Sequence, residues 1–490
     1  MPTVHHAVAD LVVPPPTTPP ADKRVPFGWR AFAVCGPGRP PAQLQWWGVI
    51  HPHHEAARLR LTVAIDERQV RRVDVALARS RRRLGRIEMR YAYPLQPFEL
   101  ELPAQAVGEV LREGLTLTLA DAGEPLWLIA EQARRGPGHE LLMPHFMWPG
   151  RPEPSVGERQ RQLLDRLASL ASVQPFGWIE GCVLDALADL AGGDADPGPL
   201  PREAARAALD QHLDLYFPVV DEPRVVYEDM FSRPADDHLH GIEQALMFAP
   251  LARVRPQHPM LDKALDHLQR MRRPDGAIYG GPTITCEGAY TVAWPLSLIA
   301  RQRGDADLAA LALAQLRHRR DRLVHDGGVW LRHSDDGTRT YRNWARGVAW
   351  YALGLVRTLE LFDEPACPAD LVAEARRLTA WVRGLQRDDG LWDCFLDEPA
   401  TGRETSGSAG IATALARAAG AGLADDADAA RAAAERTLTG LGQWLTPDGL
   451  LGGVSQSNKA EAGEAGQRSG HRVISQMGMG LAGQLMAALS

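Results

Sequence analysis

The stretch Asp389-Gly390-Leu391-Trp392 is one of four similar segments that together predict the fold. The other three are Asp275-Gly276-Ala277-Ile278, Asp326-Gly327-Gly328-Val329-Trp330 and Asp448-Gly449-Leu450-Leu451, and the successive Asp residues are 51, 63 and 59 positions apart. An Asp-Gly pair is a turn signal, and two helical stretches of ordinary length fit between neighbouring pairs. A recurring unit of two helices and a turn buries its apolar face on the next unit.

The spacing of these turns also indicates how many units the chain holds. From Ser155 to Ser490 there is room for six units, and six helical hairpins closed in a ring form an (α/α)6 toroid. An open helical solenoid is the structural alternative. We expect the closed ring, because the loops are richer in aromatic and polar residues than a plain scaffold requires.

The N-terminal part of the sequence has a different pattern. Over residues 25–143, apolar and polar side chains alternate in short runs such as Leu59-Arg60-Leu61-Thr62-Val63 and Leu115-Thr116-Leu117-Thr118-Leu119. Such alternation is typical of half-buried strands, so we predict an antiparallel β-sandwich-like domain. We expect residues 1–24 to be flexible, the Pro-rich residues 144–154 to form a linker, and residues 155–490 to form a catalytic domain that folds on its own.

Composition and charge narrow the classes of function. The chain has 490 residues, of which 45% are apolar and 23% charged, with a net charge of −7, so a disordered chain and a nucleic-acid-binding protein are disfavoured. The basic run Arg79 to Arg86 is interpreted as a solvated hairpin. Five cysteines without paired spacing, no apolar stretch of membrane-spanning length and no secretory signal favour a cytoplasmic protein. No oligomeric state follows from the sequence.

The residues that stand out are carboxylates and aromatics near helix starts, which suit a carbohydrate site. No phosphate loop, nucleophile elbow or zinc-binding spacing accompanies them. The first cluster, Asp236-Asp237-His238-Leu239-His240, precedes an apolar run. One of its acids fits a helix cap, but two acids and two histidines exceed what a cap needs.

Two further clusters carry an acid and a cation. Glu287 opens a predicted helix, where a glutamate commonly acts only as a partner of the helix dipole. His333 precedes a segment that contains Trp344, a stacking surface, and Arg346, whose planar guanidinium suits a carboxylate. The alternative is a surface arginine beside a core aromatic stripe.

A last polar segment, Glu404-Thr405-Ser406-Gly407-Ser408-Ala409, opens another helix. Helix capping by its Ser and Thr side chains explains much of this composition, and a role of Glu404 and Ser406 in binding is the other interpretation.

Taken together, these segments resemble the unsaturated rhamnogalacturonyl hydrolases of glycoside hydrolase family 105 and the unsaturated glucuronyl hydrolases of family 88. The stretch from Asn343 to Leu353 is similar to the family's W-A-R-G-N-G-W-Y-A-L, with Val348 in place of Asn. The stretch from Glu404 to Ala409 is similar to E-T/A-S-A-S-A, and Asp236-Asp237 before Gly241 resembles the family's acidic stretch. The family's D-G-L-Y-M-A segment corresponds to the stretch from Glu287 to Val292, with Glu in place of Asp. The resemblance covers Trp178 to the C-terminus.

The resemblance implies an enzyme that removes a 4,5-unsaturated uronyl residue from the non-reducing end of an oligosaccharide. The enol ether is protonated, water adds, and the hemiketal collapses to release the neighbouring sugar, without a metal or organic cofactor. Glu287 is then the proton donor, assisted by Asp236 or Asp237. Substrate-binding roles fall to Trp178, His240, His333, Trp344, Arg346, Glu404 and Ser406.

Two other functions stay open at the level of sequence. Glu in place of the family's Asp leaves room for a hydrolase of saturated uronides on the same fold. A carbohydrate-binding protein without catalytic activity is the third possibility. Neither nucleic acid nor membrane is an expected partner.

Overall fold

The chain forms two domains in a computed structural model, which describes residues 4–15, 17–49, 55–131, 138–150, 152–192, 200–218, 224–234, 237–362, 367–456 and 463–490. The first domain is built of strands, with the helix α1 (Ala104–Glu113) between two of them. Its strands are β1 Val4–Val8, β2 Leu11–Val13, β3 Arg30–Val34, β4 Ala42–Gln45, β5 Ala57–Thr62, β6 Val70–Leu77, β7 Arg83–Arg90, β8 Pro97–Leu102, β9 Leu115–Leu119, β10 Leu126–Glu131 and β11 His145–Pro149.

These strands pair antiparallel in two main sheets, of order β1-β11-β5-β8 and β2-β4-β9-β6-β7, while β3 and β10 pair with each other. Along β6, buried residues alternate strictly with partly exposed ones, as expected of a strand with one face on a core. The predicted β-sandwich-like domain is therefore confirmed.

The sandwich is larger than the sequence indicated. Strands β1 and β2 lie within residues 1–24, where we expected a flexible segment, and β11 lies within the expected linker 144–154. Strand β11 pairs with both β1 and β5, which places it inside a sheet. Proline-rich composition suggested a connector here, but Pro144 and Pro149 stand at the ends of the strand, where a missing N–H costs little.

The second domain consists of helices joined by short strands. Its helices are α2 Val156–Leu167, α3 Trp178–Gly192, α4 Arg202–Tyr216, α5 Phe248–Val254, α6 Met260–Arg270, α7 Trp294–Arg303, α8 Ala306–Leu323, α9 Ala345–Leu359, α10 Ala369–Arg383, α11 Thr405–Gly420, α12 Ala427–Leu441, α13 Gly463–Arg468 and α14 Gln476–Leu489. Its strands are β12 Thr283–Thr285, β13 Val324–His325, β14 Gly328–Ser334, β15 Arg339–Arg342, β16 Val454–Ser455 and β17 Arg472–Val473. A 3₁₀ segment, Ile242–Met247, leads into α5, and a π-helical segment, Ala289–Ala293, leads into α7.

Within the described ranges, the helices form six outer–inner pairs around a ring. The inner helices α3, α5, α7, α9, α11 and α14 contact one another in this order, and α14 returns to α3. The backbones come close where α14 meets α3, since a Cβ on Gly480 would lie 2.6 Å from the carbonyl carbon of Cys182. The ring is therefore closed, which confirms the toroid and excludes the open solenoid. In the part of the chain described, no helix is long and apolar enough to cross a membrane.

Each of the four Asp-Gly segments is a turn between an outer helix and the next inner helix. Gly276, Gly327, Gly390 and Gly449 all have a φ between +70° and +89°, a left-handed conformation that favours glycine. Because every such turn leads into the start of an inner helix, the four turns lie at one end of the ring. We call this end the mouth.

The two domains meet at a seam that contains buried charges. The Arg60 guanidinium on β5 donates to both oxygens of Asp448, at 2.6 and 2.9 Å, and both side chains are almost fully buried. Burial alone would raise the pKa of the Asp448 carboxyl, but Arg60 beside it holds that pKa well below its usual range. The Phe27 ring also meets the Tyr216 ring of α4 edge-on at 5.3 Å. A separable domain was expected to make only modest contacts with its neighbour, whereas this seam contains buried charges and packed aromatic rings.

Candidate active site

Glu287 lies at the start of the inner helix that continues as α7, and its side chain is partly exposed. Gly354, nine residues into α9, packs against the backbone of Ala289 and Tyr290. Because inner helices of the ring run in the same direction and rise about 1.5 Å per residue, this helix start lies roughly 10 Å deeper in the mouth than the start of α9. Glu287 therefore lies at the N-terminal, partly positive end of an inner helix, on the side of the ring where the mouth is.

A chain of aromatic rings connects this helix to the other side of the mouth. Tyr290 stacks on Trp350 of α9, with ring centres 5.9 Å apart, and Trp350 meets Trp178 of α3 edge-on at 5.4 Å. Trp178 is only partly buried, so part of this side chain is open to solvent. Trp350 is itself buried, and its ring packs against the predicted binding residue Trp178.

Arg346 lies between two of the predicted aromatic residues. The carbon of its guanidinium is 4.6 Å from the ring centre of Trp344 and 5.9 Å from that of Trp178. Its two terminal nitrogens donate to the backbone carbonyls of Ser455 and Gln456, at 2.7 and 2.9 Å. In this structure the planar guanidinium therefore holds the segment after β16, and its binding of a substrate carboxylate stays a prediction.

Glu404 and Ser406 form a helix cap. The Glu404 carboxylate accepts hydrogen bonds from the Ser406 hydroxyl at 2.6 Å, from the Gly407 N–H at 2.5 Å and from the Ser455 N–H at 2.9 Å. Both residues are fully buried. The sequence left capping and substrate binding as alternative interpretations, and capping accounts for this geometry. Ser455 links the two halves of the cluster, since its N–H reaches Glu404 and its carbonyl reaches Arg346.

In the described residues, the acid of the cluster before Gly241 lies at the protein surface. Asp236 lies outside those residues. Asp237 is exposed and pairs with Lys263 of the outer helix α6, at 2.6 Å, and this hydrogen bond lowers the pKa of its carboxyl. Asp237 is thus held in a surface ion pair with an outer helix, and its assisting role stays a prediction.

The two predicted histidines lie near the mouth. His240 is exposed and lines a small cavity of about 100 Å³ together with Gly177, the residue before Trp178. His333 on β14 is opposite Ile284 of β12, three residues before Glu287. Among the described residues, the Nδ1 atom of His333 has no hydrogen-bond partner. Burial and nearby arginines, chiefly Arg339, lower the pKa of His333, so its ring is neutral at pH 7.

Sequence reasoning missed Arg319, which supports the turn that carries Glu287. Its guanidinium is fully buried and donates to the carbonyls of Thr285 at 3.1 Å and Ile278 at 2.9 Å. A Cβ on Gly288 would lie 1.8 Å from a terminal nitrogen of Arg319, so only glycine allows this approach. Burial lowers the pKa of Arg319 to about 9. The signal in the sequence was weak, because Arg319 lies within a run of polar residues of an outer helix.

Asp185 is a second residue that the sequence did not single out. It lies inside the ring and accepts hydrogen bonds from the Tyr290 hydroxyl at 2.6 Å and from the Trp294 indole at 3.2 Å. Its Oδ1 atom has no partner among the described residues, and burial raises the pKa of its carboxyl. The available signal was an acid in the middle of the largely apolar helix α3, which also contains Glu180 and Asp189.

Comparison with known sequences connects the helical domain to one family. The sequence model of Glycosyl Hydrolase Family 88 matches residues 299–489. The 24.9 kDa protein in the picA locus of Rhizobium radiobacter is 39% identical over 135 residues, covering 24% of this chain and 58% of that protein. The unsaturated rhamnogalacturonyl hydrolase YesR of Bacillus subtilis is 40% identical over 75 residues, covering 15% of this chain and 21% of that enzyme. The chain thus spans little more than half of the first relative.

Solved structures extend the likeness to the whole ring. A possible member of family GH105 from Salmonella enterica aligns with a TM-score of 0.56 at 16% identity, covering 69% of this chain and 95% of that one. The family 105 glycoside hydrolase of Clostridium acetobutylicum ATCC 824 aligns with a TM-score of 0.53 at 16% identity, covering 65% and 95%. The resemblance to glycoside hydrolase families 88 and 105 is confirmed, and the helical domain has their fold.

Proposed function

We propose that this protein is a glycoside hydrolase that removes a 4,5-unsaturated uronyl residue from the non-reducing end of an oligosaccharide. The observation that carries the proposal is the position of Glu287, a partly exposed acid at the start of an inner helix, three residues before Tyr290 in the aromatic chain of Tyr290, Trp350 and Trp178. The matched family and the relative from Bacillus subtilis support this reaction class.

Glu287 is the proposed proton donor. Its proton goes to C4 of the C4=C5 double bond, and the oxygen of water then bonds to C5. As water adds, it loses a proton to the Glu287 carboxylate and leaves a hemiketal at C5. The bond from C5 to the ring oxygen then breaks, so that C5 becomes a ketone and C1 a hemiacetal. Collapse of this hemiacetal to an aldehyde breaks the bond from C1 to the neighbouring sugar, which leaves with the hydroxyl proton. The acid must be protonated before the step.

The surroundings of Glu287 supply binding and positioning. Trp178 offers an aromatic face for a sugar ring. The N-terminal ends of the inner helices favour the uronate carboxylate electrostatically. Arg319 fixes the backbone that carries Glu287.

A hydrolase of saturated uronides is the second candidate, and Glu287 is the observation that favours it. Glutamate places its carboxyl one methylene farther from the backbone than the Asp found in the family, so the acid can reach a different atom of the substrate.

Wild-type protein incubated with two substrate classes separates the candidates. Unsaturated uronyl oligosaccharides made by a polysaccharide lyase are expected to lose the ultraviolet absorbance of their conjugated double bond, while saturated uronides stay intact. Release of sugar from saturated uronides alone would favour the second candidate. Turnover of neither class would contradict both and leave a protein that only binds carbohydrate.

A further inference from the structure

A cleft between the two domains has no part in the proposed reaction. It has a volume of about 650 Å³, within the roughly 300–1,000 Å³ of ordinary ligand sites. Arg58 and Met147 of the β-domain line one side, and Trp444 and Ile474 of the helical domain line the other. We propose that this cleft binds a neutral segment of a saccharide chain, with Trp444 as the stacking surface.

Trp444 is an aromatic side chain whose backbone is fixed while its ring is partly open to solvent. It is 38% exposed, which is unusual for a residue of this size. Its carbonyl accepts a hydrogen bond from the Gly452 N–H at 3.0 Å, and the next residue, Leu445, bridges to Leu451. The turn between them is anchored to the β-domain by the buried pair of Asp448 and Arg60. A rigidly held aromatic face loses little entropy when a sugar ring stacks on it.

The charges of the cleft favour a neutral ligand over a polyanion. Among the described residues that line the cleft, Glu55, Glu99, Glu101 and Glu153 stand beside two arginines, Arg58 and Arg159. Both arginines already have partners. Arg58 pairs with Glu99 and Glu101, and Arg159 donates to the carbonyls of Pro154 and Leu445. The exposed carboxylates of Glu101 and Glu153 can accept hydrogen bonds from sugar hydroxyls, whereas they repel the carboxylates of a polyuronate.

The cleft adjoins the candidate active site through one short ribbon. Gly452 and Ile474 border the cleft and flank the paired strands β16 and β17. Ser455 of β16 is the residue that contacts Glu404 and Arg346. The inference rests on the proposed function, because it takes the ligand of the cleft to be the part of the same oligosaccharide that lies beyond the uronyl end in the mouth, and the acidic lining selects neutral sugars there. The β-domain would then extend the binding surface of the ring.

The proposed role of the cleft is tested by measuring the binding of oligosaccharides that are not turned over. Isothermal titration is carried out with hexamers of β-1,4-linked glucose, of β-1,4-linked galactose and of galacturonate. We expect a neutral hexamer to bind and the galacturonate hexamer to bind at least tenfold more weakly in the cleft. Trp444→Ala is expected to weaken the neutral hexamer at least tenfold, and Trp444→Phe less, because it keeps a smaller ring. Trp47→Ala is the matched control, since Trp47 is 59% exposed on the β-domain but does not line the cleft.

The outcomes separate this inference from the proposed reaction. Because Trp444→Ala removes a ring that packs on Gly453, the thermal unfolding of each variant is compared with that of the wild type. The proposed binding role of the cleft would be overturned if neither neutral hexamer bound. It would also be overturned if a folded Trp444→Phe or Trp444→Ala variant bound a neutral hexamer with the same affinity as the wild type. Loss of affinity in Trp47→Ala to the same extent would do so as well. Absence of ultraviolet bleaching would instead contradict the reaction and leave the binding result intact.

Discussion

At the scale of single residues, the site depends on side chains whose roles differ from their appearance in the sequence. Arg346 and Glu404 are the most conspicuous charged residues of the motifs, yet both are buried and hydrogen-bonded to the backbone around Ser455. Arg319, which no motif indicated, is the residue that supports the turn of Glu287. A buried charge of this kind requires nearly all of its donors to be satisfied, which explains its four bonds to nearby oxygen atoms.

Replacing Arg319 by lysine is expected to reduce turnover more than substrate affinity. Lysine keeps the charge but has a single nitrogen, so it cannot reach the carbonyls of Thr285 and Ile278 together. The lost hydrogen bonds are expected to lower the free energy of unfolding by about 2 kcal/mol. A shift of the acid by about 1 Å costs roughly 10²-fold in kcat. Steady-state kinetics and urea unfolding measure the two effects.

Arg320→Lys is the control, because Arg320 lies on the same helix but pairs with Asp321 and Asp370 on the outside. It is expected to change kcat less than twofold. If Arg319→Lys loses stability but keeps the wild-type pH profile and kcat, then Arg319 supports the fold only.

At the scale of elements, the sequence predicted the turns and repeating units, which local hydrogen bonding determines. Asp275 and Asp389 each accept the N–H two residues on, as an Asp-Gly turn requires, and the four turns define the repeating units. The π-helical segment Ala289–Ala293 was not foreseeable, because its extra residue per turn is imposed by the packing of Tyr290 between Trp350 and Asp185. The start of this inner helix was predicted, whereas the direction of its side chains depended on the ring.

Removal of the cap at the start of α11 is expected to destabilise the protein more than removal of a cap on an outer helix. Glu404→Ala leaves the N–H groups of Gly407 and Ser455 buried without a partner, which costs about 2–3 kcal/mol. Asp426→Ala removes the cap of α12, whose N–H groups face water, and costs about 1 kcal/mol. Urea unfolding of both variants tests the difference, and equal losses would show that Glu404 is no more than an ordinary cap.

At the scale of the whole molecule, the sequence predicted two domains and a closed ring but not the seam between them. In the sequence, Arg60 is one polar residue of an alternating strand pattern, and Asp448 is part of a turn signal. Their pairing joins positions 388 apart in the chain and depends on the docked orientation of both domains. Strands β1 and β11 were missed for a related reason, since short strands beside prolines acquire their partners only in the assembled sheet.

The buried histidines at the seam lead us to predict that the protein loses stability in mild acid. Burial, and to a lesser extent Arg166 and Arg60, lowers the pKa of His6 to about 3, while an unfolded chain has a histidine pKa near 6.5. Between these two values the unfolded state binds more protons than the folded state, so the free energy of unfolding falls as pH decreases. One histidine contributes about 1.4 kcal/mol per pH unit in this range.

His6→Gln is expected to flatten this dependence between pH 6.5 and pH 4.5, which urea unfolding at several pH values measures. His5→Gln on the same strand is the control, because the His5 side chain is exposed. An unchanged slope in His6→Gln would show that His6 is not held neutral at the seam. Burial also lowers the pKa of His145 well below its usual range, so part of the slope is expected to stay.

The role of Glu287 is tested by comparing Glu287→Gln with the wild type in the loss of ultraviolet absorbance from an unsaturated uronyl oligosaccharide. Glutamine keeps the size and hydrogen bonding of the side chain but has no proton to deliver. We expect the rate to fall by roughly 10²–10⁴-fold without a change in thermal unfolding. Glu243→Gln, which alters another partly buried glutamate at the start of the neighbouring inner helix, is expected to stay near the wild-type rate. A folded Glu287→Gln protein that bleaches the substrate at a near-native rate would contradict the assignment of Glu287 as the proton donor.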